Sequence, residues 1–283
     1  MTDDIRSLRV AVLQHNAKLS GPDERFAWLD DQLRKLQDQD IDLVVCPELF
    51  MSGYDVGDDI LRYAEPADGN FACRAKTLAQ QVKTAIVYGY PERDQAGVFN
   101  SAIAISADGS TLANHRKSVL PPGFEQRYFQ TGSNLTLFTL KSVRVAILIC
   151  YESEFPESVR NVSAHGAEVV VVPTAIVSQW DQVAYKVIPA RAFENGVFLA
   201  YANHSGCENQ SRYHGASCIV DPTGHEMARG GQSEEILLAT LDLKDVAAAQ
   251  SRIPFLTDCS HIPKHFSKCH VDNKSRETGE PKA

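Results

Sequence analysis

The sequence predicts an α/β protein in which helices cover two packed, mixed β-sheets. Strand-like apolar runs alternate with helical patterns along most of the chain, and two stretches break that alternation as β-hairpins. A hydrophobic content of 43% over 283 residues supplies the core of one large domain. Alternation alone would give a parallel sheet; the hairpins make the sheets mixed.

The elements follow in order. "LRVAVLQHN" opens as a strand, and "ERFAWLDDQLRKLQ" sets Phe26, Leu29, Leu33 and Leu36 at helical spacing with charges between them. The strand "IDLVVCPE", the helix "FACRAKTLAQQVK" and the strand "TAIVYGY" repeat the pattern. "VFNSAIAISADGSTLANHRK" is a hairpin turning at Asp108 and Gly109. The strand "VRVAILIC" ends at Cys150, and "FPESVRNVSAHG" is a helix with Pro156 in its first turn and Gly166 as its C-terminal cap. "AEVVVVP" and "VFLAYANH" are strands separated by the helical "DQVAYKVIPARAFENG". "GASCIVDPTGHEMAR" forms the second hairpin, turning at Pro222, Thr223 and Gly224. No Pro/Gly/Ser-rich linker divides the chain, so residues 1–267 are expected to form a single domain. From Lys268 to the end the sequence is polar and aperiodic, and a mobile tail over 268–283 is expected.

Composition excludes several functions. Lys and Arg number 28 against 36 Asp and Glu, a formal net charge of -8, and no basic stripe interrupts it, so nucleic acid is not an expected partner. "MTDDIRSLRV" lacks an apolar targeting core, and no run approaches the roughly 20 apolar residues of a membrane span. A soluble, cytoplasmic protein without membrane contact is expected. Seven cysteines, an odd number without a CxxC pair, read as free thiols in a reducing compartment. Cys259, His261, His265, Cys269 and His270 cluster near the end, but their spacing is not that of a zinc finger and no metal is expected.

Three residues each close a strand-like segment. Cys150 stands where a buried strand gives way to "EFPE", at a sheet edge of the kind that holds ligands in α/β proteins. A thiol there is either a core cysteine or a nucleophile, and a nucleophile needs a base or a cation beside it. Glu48 follows "DLVVCP" in an apolar setting that would raise a carboxyl into the range of a useful base, although a carboxylate at such a place also serves as an ion-pair partner. Lys117 follows the hairpin strand in "NHRKSVL"; alone, a lysine there is an ordinary solvated side chain.

Together, "PELF" around Glu48, "HRKSVL" around Lys117 and "ICYESEFPE" around Cys150 resemble the nitrilase superfamily of carbon–nitrogen hydrolases. "RAFENGVFLAYANHSG" and "GASCIVDPTG" extend the resemblance to about residue 242, and the first of these looks most like bacterial amidases. The resemblance implies a four-layer αββα sandwich and a homodimer or higher homo-oligomer. It implies that Cys150 attacks an amide carbonyl, that Glu48 takes the thiol proton and passes it to the departing ammonia, and that Lys117 with the Tyr151 backbone N–H holds the oxyanion. Glu125, in "PPGFEQRYFQTG", would orient the lysine, while Thr174 and Ala175, with Trp180, would line the acyl pocket. No cofactor is implied. Arg191 and Glu194, at i,i+3 spacing, are expected to pair with each other rather than with substrate. "SRIPFLTDCSHIP" departs from the Arg-rich run with which many relatives dock their partner subunit. A nitrilase or N-carbamoyl hydrolase using the same residues stays open, as does a non-catalytic scaffold that keeps the fold.

Overall fold

The structure is a computed structural model that describes residues 6–18 and 21–262. The expected mobile tail and residues His265, Cys269 and His270 lie outside those residues.

The first half of the chain supplies strands β1 (Ser7–Gln14), β2 (Leu43–Val45), β3 (Ala85–Arg93), β4 (Val98–Ile105) and β5 (Thr111–Arg116). The second supplies β6 (Leu137–Leu140), β7 (Val143–Ile147), β8 (Val169–Pro173), β9 (Phe198–Ala202), β10 (Ser205–Glu208), β11 (Ser211–His214), β12 (Cys218–Val220), β13 (Glu226–Arg229) and β14 (Glu235–Asp242). They form two six-stranded sheets, ordered β14-β1-β2-β3-β4-β5 and β13-β12-β9-β8-β7-β6, with β10 and β11 as a separate hairpin.

Each sheet has a parallel centre, β1-β2-β3 or β7-β8-β9, continued by two antiparallel strands, β4-β5 or β12-β13. Both expected hairpins are those continuations. Their turns carry glycines at positive φ, Gly109 at 82° and Gly224 at 84°, where a side chain would be strained.

Strand alternation decides the layering. From β1, Leu8, Val10 and Val12 point between the sheets and meet Val143, Val145, Val169 and Val171, while Ala11 and Leu13 point to the outer face. That outer face is covered by α1 (Gly21–Lys35), through Leu29 and Leu33, and, beyond the short α2 (Asp59–Tyr63), by α3 (Asn70–Val82), through Phe71 and Leu78. After the single-turn α4 (Phe124–Tyr128), the second sheet's outer face is covered by α5 (Pro156–Ala164) and α6 (Ile188–Phe193), through Val159, Val162, Ile188 and Ala192. The result is the αββα sandwich, α/β in class, that the sequence predicts.

Three local departures have physical reasons. β2 is regular over only three residues, because beyond Val45 the bonds to β3, Cys46 N–H to Val87 O and Gly89 N–H to Pro47 O, shift out of register as the chain runs towards Glu48. The expected helix over "DQVAYKVIPARAFENG" divides into a wide π turn, Val183–Val187, and α6, whose second residue Pro189 cannot donate a backbone hydrogen bond. A helix after β14, α7 (Lys244–Arg252), buries only Val246 and Ala249 in a polar stretch and is followed by α8 (Phe255–Asp258). Among the described residues no helix is long and apolar enough to cross a membrane.

Candidate active site

Glu48, Lys117, Glu125 and Cys150 meet at one end of the two sheets, each delivered by a chain segment that has just left regular structure. The Glu48 segment lies along β3 at Gly89: Gly89 N–H donates to Pro47 O at 3.2 Å and Met51 N–H to Gly89 O at 3.0 Å. A Cβ on Gly89 would sit 2.3 Å from Leu49 N and 2.8 Å from Glu48 Cα, so only glycine lets this segment pass so close. Leu49 takes φ 47° to turn the carboxylate inward.

Lys117 continues the β4–β5 pairing by one step, its N–H donating to Asn100 O at 2.8 Å. Glu125 comes from α4, below the Gly123 turn. Cys150 begins a 3₁₀ turn, Cys150–Glu154, with φ 45°, a left-handed conformation rarely held by a residue with a side chain. The first N–H groups of such a turn, Tyr151's among them, have no partner within it.

The charged groups are fully buried and tightly linked. Lys117 Nζ donates to Glu48 Oε1 and to Glu125 Oε1, both at 2.6 Å. Asn100 Nδ2 bridges the same two carboxylates, at 2.7 Å from Glu48 Oε1 and 3.0 Å from Glu125 Oε2. Tyr54 donates its hydroxyl to Glu125 Oε1 at 2.8 Å. An ammonium has three N–H donors, so Lys117 keeps one beyond these carboxylates. Glu48 Oε2 has no hydrogen-bond partner among the described residues. Asn100 Oδ1 likewise has none, so one donor, on Lys117, and two acceptors remain free in the cluster among the described residues.

Burial is the largest influence on each shifted group. It pushes Glu48 up to about 7, with Lys117 opposing and Glu125 reinforcing the rise. For Lys117 burial pulls downward, but Glu48, Glu125 and Cys150 outweigh it and hold the ammonium above its ordinary value. Burial and Glu48 drive the Cys150 thiol well above 9.0, against Lys117 and hydrogen bonds from the Thr174 side chain and the Ala175 backbone N–H. Desolvation of the sulfur by burial thus exceeds the attraction of Lys117.

Thr174 and Ala175 are buried at the end of β8. Thr174 Oγ1 lies 3.2 Å from the Tyr201 hydroxyl. The Tyr151 ring is half-buried and packs edge-on against Phe155, at 4.9 Å between centroids. Trp180 is largely exposed. Arg191 bonds Glu194 Oε1 at 3.0 Å, as its spacing predicts, and also donates to Ser153 O at 3.3 Å and Glu154 O at 2.6 Å, which pins the 3₁₀ turn from below.

Sequence reasoning missed four contributors: Tyr54, Asn100, Glu152 and His204. Glu152 is buried in the turn after Cys150 and accepts four hydrogen bonds, from Ile149 N–H at 2.7 Å, Ser118 N–H at 2.9 Å, Ser118 Oγ at 2.6 Å and His115 Nε2 at 2.8 Å. Burial alone would raise its carboxyl, but His115 and the Ser118 donors pull it down to about 2. His204 Nε2 lies 2.8 Å from Glu48 O, an atom that only accepts, so this nitrogen carries the proton. His204 Nδ1 then accepts from His15 Nδ1 at 3.2 Å. His115 and Glu152 stand inside the motifs that single out Lys117 and Cys150, and His204 stands inside "RAFENGVFLAYANHSG", and that is the signal that could have found them.

The carbon–nitrogen hydrolase family model matches residues 9–251. A protein described as the hydrolase in the pqqF 5′ region of Pseudomonas protegens is 40% identical over 222 residues, covering 77% of this chain and 78% of that protein. An (R)-stereoselective amidase of a Pseudomonas species is 33% identical over 220 residues, covering 77% and 80%. Among solved structures, a mutant amidase of Nesterenkonia sp. AN1, described as showing covalent addition of the acetamide moiety of fluoroacetamide at its active-site cysteine, superposes with TM-score 0.78. It is 29% identical, with 89% of this chain and 97% of that one covered.

Proposed function

The chain belongs to the carbon–nitrogen hydrolase family and is a hydrolase of non-peptide carbon–nitrogen bonds; on that premise we propose that it cleaves a small carboxamide to a carboxylic acid and ammonia through a thioester on Cys150. The observation that carries this reading is the buried cluster in which Lys117 bridges Glu48 and Glu125, both at 2.6 Å, beside the thiol.

Glu48 Oε2, the carboxylate oxygen without a partner among the described residues, takes the Cys150 proton as Sγ attacks the amide carbon. The carbonyl oxygen becomes an oxyanion and accepts hydrogen bonds from the remaining Lys117 N–H and from Tyr151 N–H. Donors fixed in advance where charge develops are each worth about 10²- to 10³-fold in rate. Glu48 returns the proton to the nitrogen, ammonia leaves, and the carbon–sulfur bond of the thioester remains. Water then loses a proton to Glu48, attacks the thioester carbon and releases the acid, and the thiol regains its proton. Glu125, held by Tyr54 and Asn100, balances Lys117 and fixes where its free N–H points. Thr174 and Ala175 border the sulfur and the acyl group on it.

The covalent adduct described for the Nesterenkonia amidase, the acetamide moiety of fluoroacetamide on its active-site cysteine, supports a nucleophilic cysteine at a site that admits a small amide. The same reading carries a homo-oligomer working in the cytoplasm. Ammonia release is measured over aliphatic, aromatic, amino-acid and ω-amides, N-carbamoyl compounds and nitriles, with Cys150→Ala as control. Release from an amide class by the parent and none by a folded Cys150→Ala is expected. Turnover retained in that variant, or release from nitriles alone, overturns the proposal.

A further inference from the structure

Glu152 lies on the far side of the 3₁₀ turn from the reacting groups, yet it is the only side chain among the described residues that hydrogen-bonds both to the segment around Lys117 and to the backbone leading into Cys150. Its Oε1 accepts from the backbone and the hydroxyl of Ser118, the residue after Lys117, and its Oε2 accepts from His115 and from Ile149 N–H, the residue before Cys150. His115 is held in turn by Thr136 Oγ1, 3.0 Å from Nδ1. Lys117 and Cys150 come from different sheets, so no strand ladder fixes their separation.

We propose that Glu152 is a positioning residue that sets the register between Lys117 and Cys150, so that the lysine donor and the sulfur stand at the right separation around the substrate carbonyl. This rests on the roles given above to Lys117 and Cys150. A carboxylate suits the task because it accepts four hydrogen bonds at once, two per oxygen, and every one is charge-assisted. Strain adds a reason: Cys150 is held at φ 45°, and the Glu152 bond to Ile149 N–H fixes the residue that enters that conformation.

The Glu152 and His115 side chains are themselves buried, but a cavity lies directly beside them. A cavity of about 170 Å³ is lined by His115, Ser118 and Glu152 together with the exposed Ser133, Asn134 and Leu135. Cys150, Glu48 and Lys117 do not line it, so truncation of Glu152 would open the vacated space to this cavity, where a small carboxylate can replace the missing side chain without competing with substrate.

The test compares Glu152→Ala, Glu152→Gln and Ser118→Ala with the parent. It measures kcat, KM, melting temperature and the rate at which iodoacetamide alkylates Cys150, followed on the Cys150 peptide by mass spectrometry. Displacement of a reacting group by about 1 Å lowers rates on the order of 10²-fold. Glu152→Ala is therefore expected to lose about that factor in kcat and in alkylation rate, with KM little changed, and formate is expected to restore part of both. Ser118→Ala, which removes one donor and keeps the backbone one, is expected to lose roughly tenfold and to fold normally. Parental kcat and alkylation in folded Glu152 variants overturn the proposal, as does a loss that formate does not reverse. If Glu152→Ala and Glu152→Gln fail to fold, Ser118→Ala decides alone, and unchanged rates in it overturn the proposal. Alkylation of Cys150 needs no amide substrate, so a failure of the amidase reading, seen as turnover in Cys150→Ala, is separable from a failure of the brace.

Discussion

Two glutamates that each follow a strand end, Glu48 after β2 and Glu152 after β7, are driven in opposite directions, and the difference is readable from their donors. Glu48 is pushed up to about 7 because burial exceeds what one lysine and one amide return. Glu152 is brought down to about 2, because His115 and Ser118 return more than burial removes. The stability consequences are opposite in sign. The folded state holds the Glu48 proton more tightly than the unfolded chain does, so this group's stabilisation is fully present below 4.5 and is lost as pH rises to about 7. The Glu152 contribution is present above 4.5 and is lost as pH falls towards 2. In the proposed mechanism activity follows Glu48, since only its ionised form would accept the thiol proton. We expect kcat/KM to rise with pH through about 7, as a property of the linked Glu48, Lys117 and Glu125 set, and then to hold a plateau. No alkaline decline is expected below about 9, because Cys150 and Lys117 are both shifted upward. A pH–rate profile checks this, and an acid limb at the ordinary carboxylate value would show that Glu48 is not the base. Glu48→Gln is expected to lower kcat about 10²- to 10⁴-fold at every pH.

At the scale of elements, strands carry the site by stopping short. β2 leaves its ladder after three residues, and Gly89 on β3 lets the departing chain run beside it. Gly89→Ala would put a methyl against backbone that cannot rotate away. We expect it to destabilise the fold by about 1–3 kcal/mol and to lower kcat through displacement of Glu48, as read by urea unfolding and by turnover at 25 °C. An unchanged kcat would mean that the Glu48 segment yields without moving its carboxylate. The strands that lead to Glu48 and Cys150 are legible in the sequence because apolar runs announce them, whereas Lys117 follows the polar Asn114, His115 and Arg116 and is legible only as the end of the hairpin strand. The same logic makes both hairpins legible, through glycines that turns require. Tyr54 and Asn100 were not legible, since their roles exist only across distance: Tyr54 meets Glu125 71 residues away, and Asn100 meets Glu48 52 residues away. The π turn at Val183–Val187 was hidden because its apolar spacing is close to that of an α-helix.

The molecule as a whole is a doubled plan: two sheets, each a parallel centre continued by an antiparallel pair, with Glu48 and Lys117 delivered by one and Cys150 by the other. Apolar packing between the sheets is non-directional, which leaves buried polar links to contribute to how one sheet is placed over the other. His204, after β9, bonds the backbone of Glu48, and Glu208, at the end of β10, gathers three separate segments. One oxygen of Glu208 pairs with Arg25 of α1 at 2.8 Å, and the other accepts from Tyr54 N–H at 2.9 Å, Asp55 N–H at 2.7 Å and the Tyr213 hydroxyl at 3.0 Å. Since Tyr54 in turn holds Glu125, this ion pair connects an outer helix to the chemistry through one loop. Removing one member of a buried pair destabilises by about 3–5 kcal/mol, because the other stays desolvated. Glu208→Ala is therefore expected to lose about that much in urea unfolding and, where still folded, to turn over more slowly because the Tyr54 loop is released. Tyr54→Phe separates the two effects. It removes only the bond to Glu125, so its stability should change by about 1 kcal/mol while kcat falls with KM little altered. A Glu208→Ala protein with the parent's unfolding midpoint would show that apolar packing alone aligns the sheets; a Tyr54→Phe protein with the parent's kcat would show that the loop reaches Glu125 without steering it.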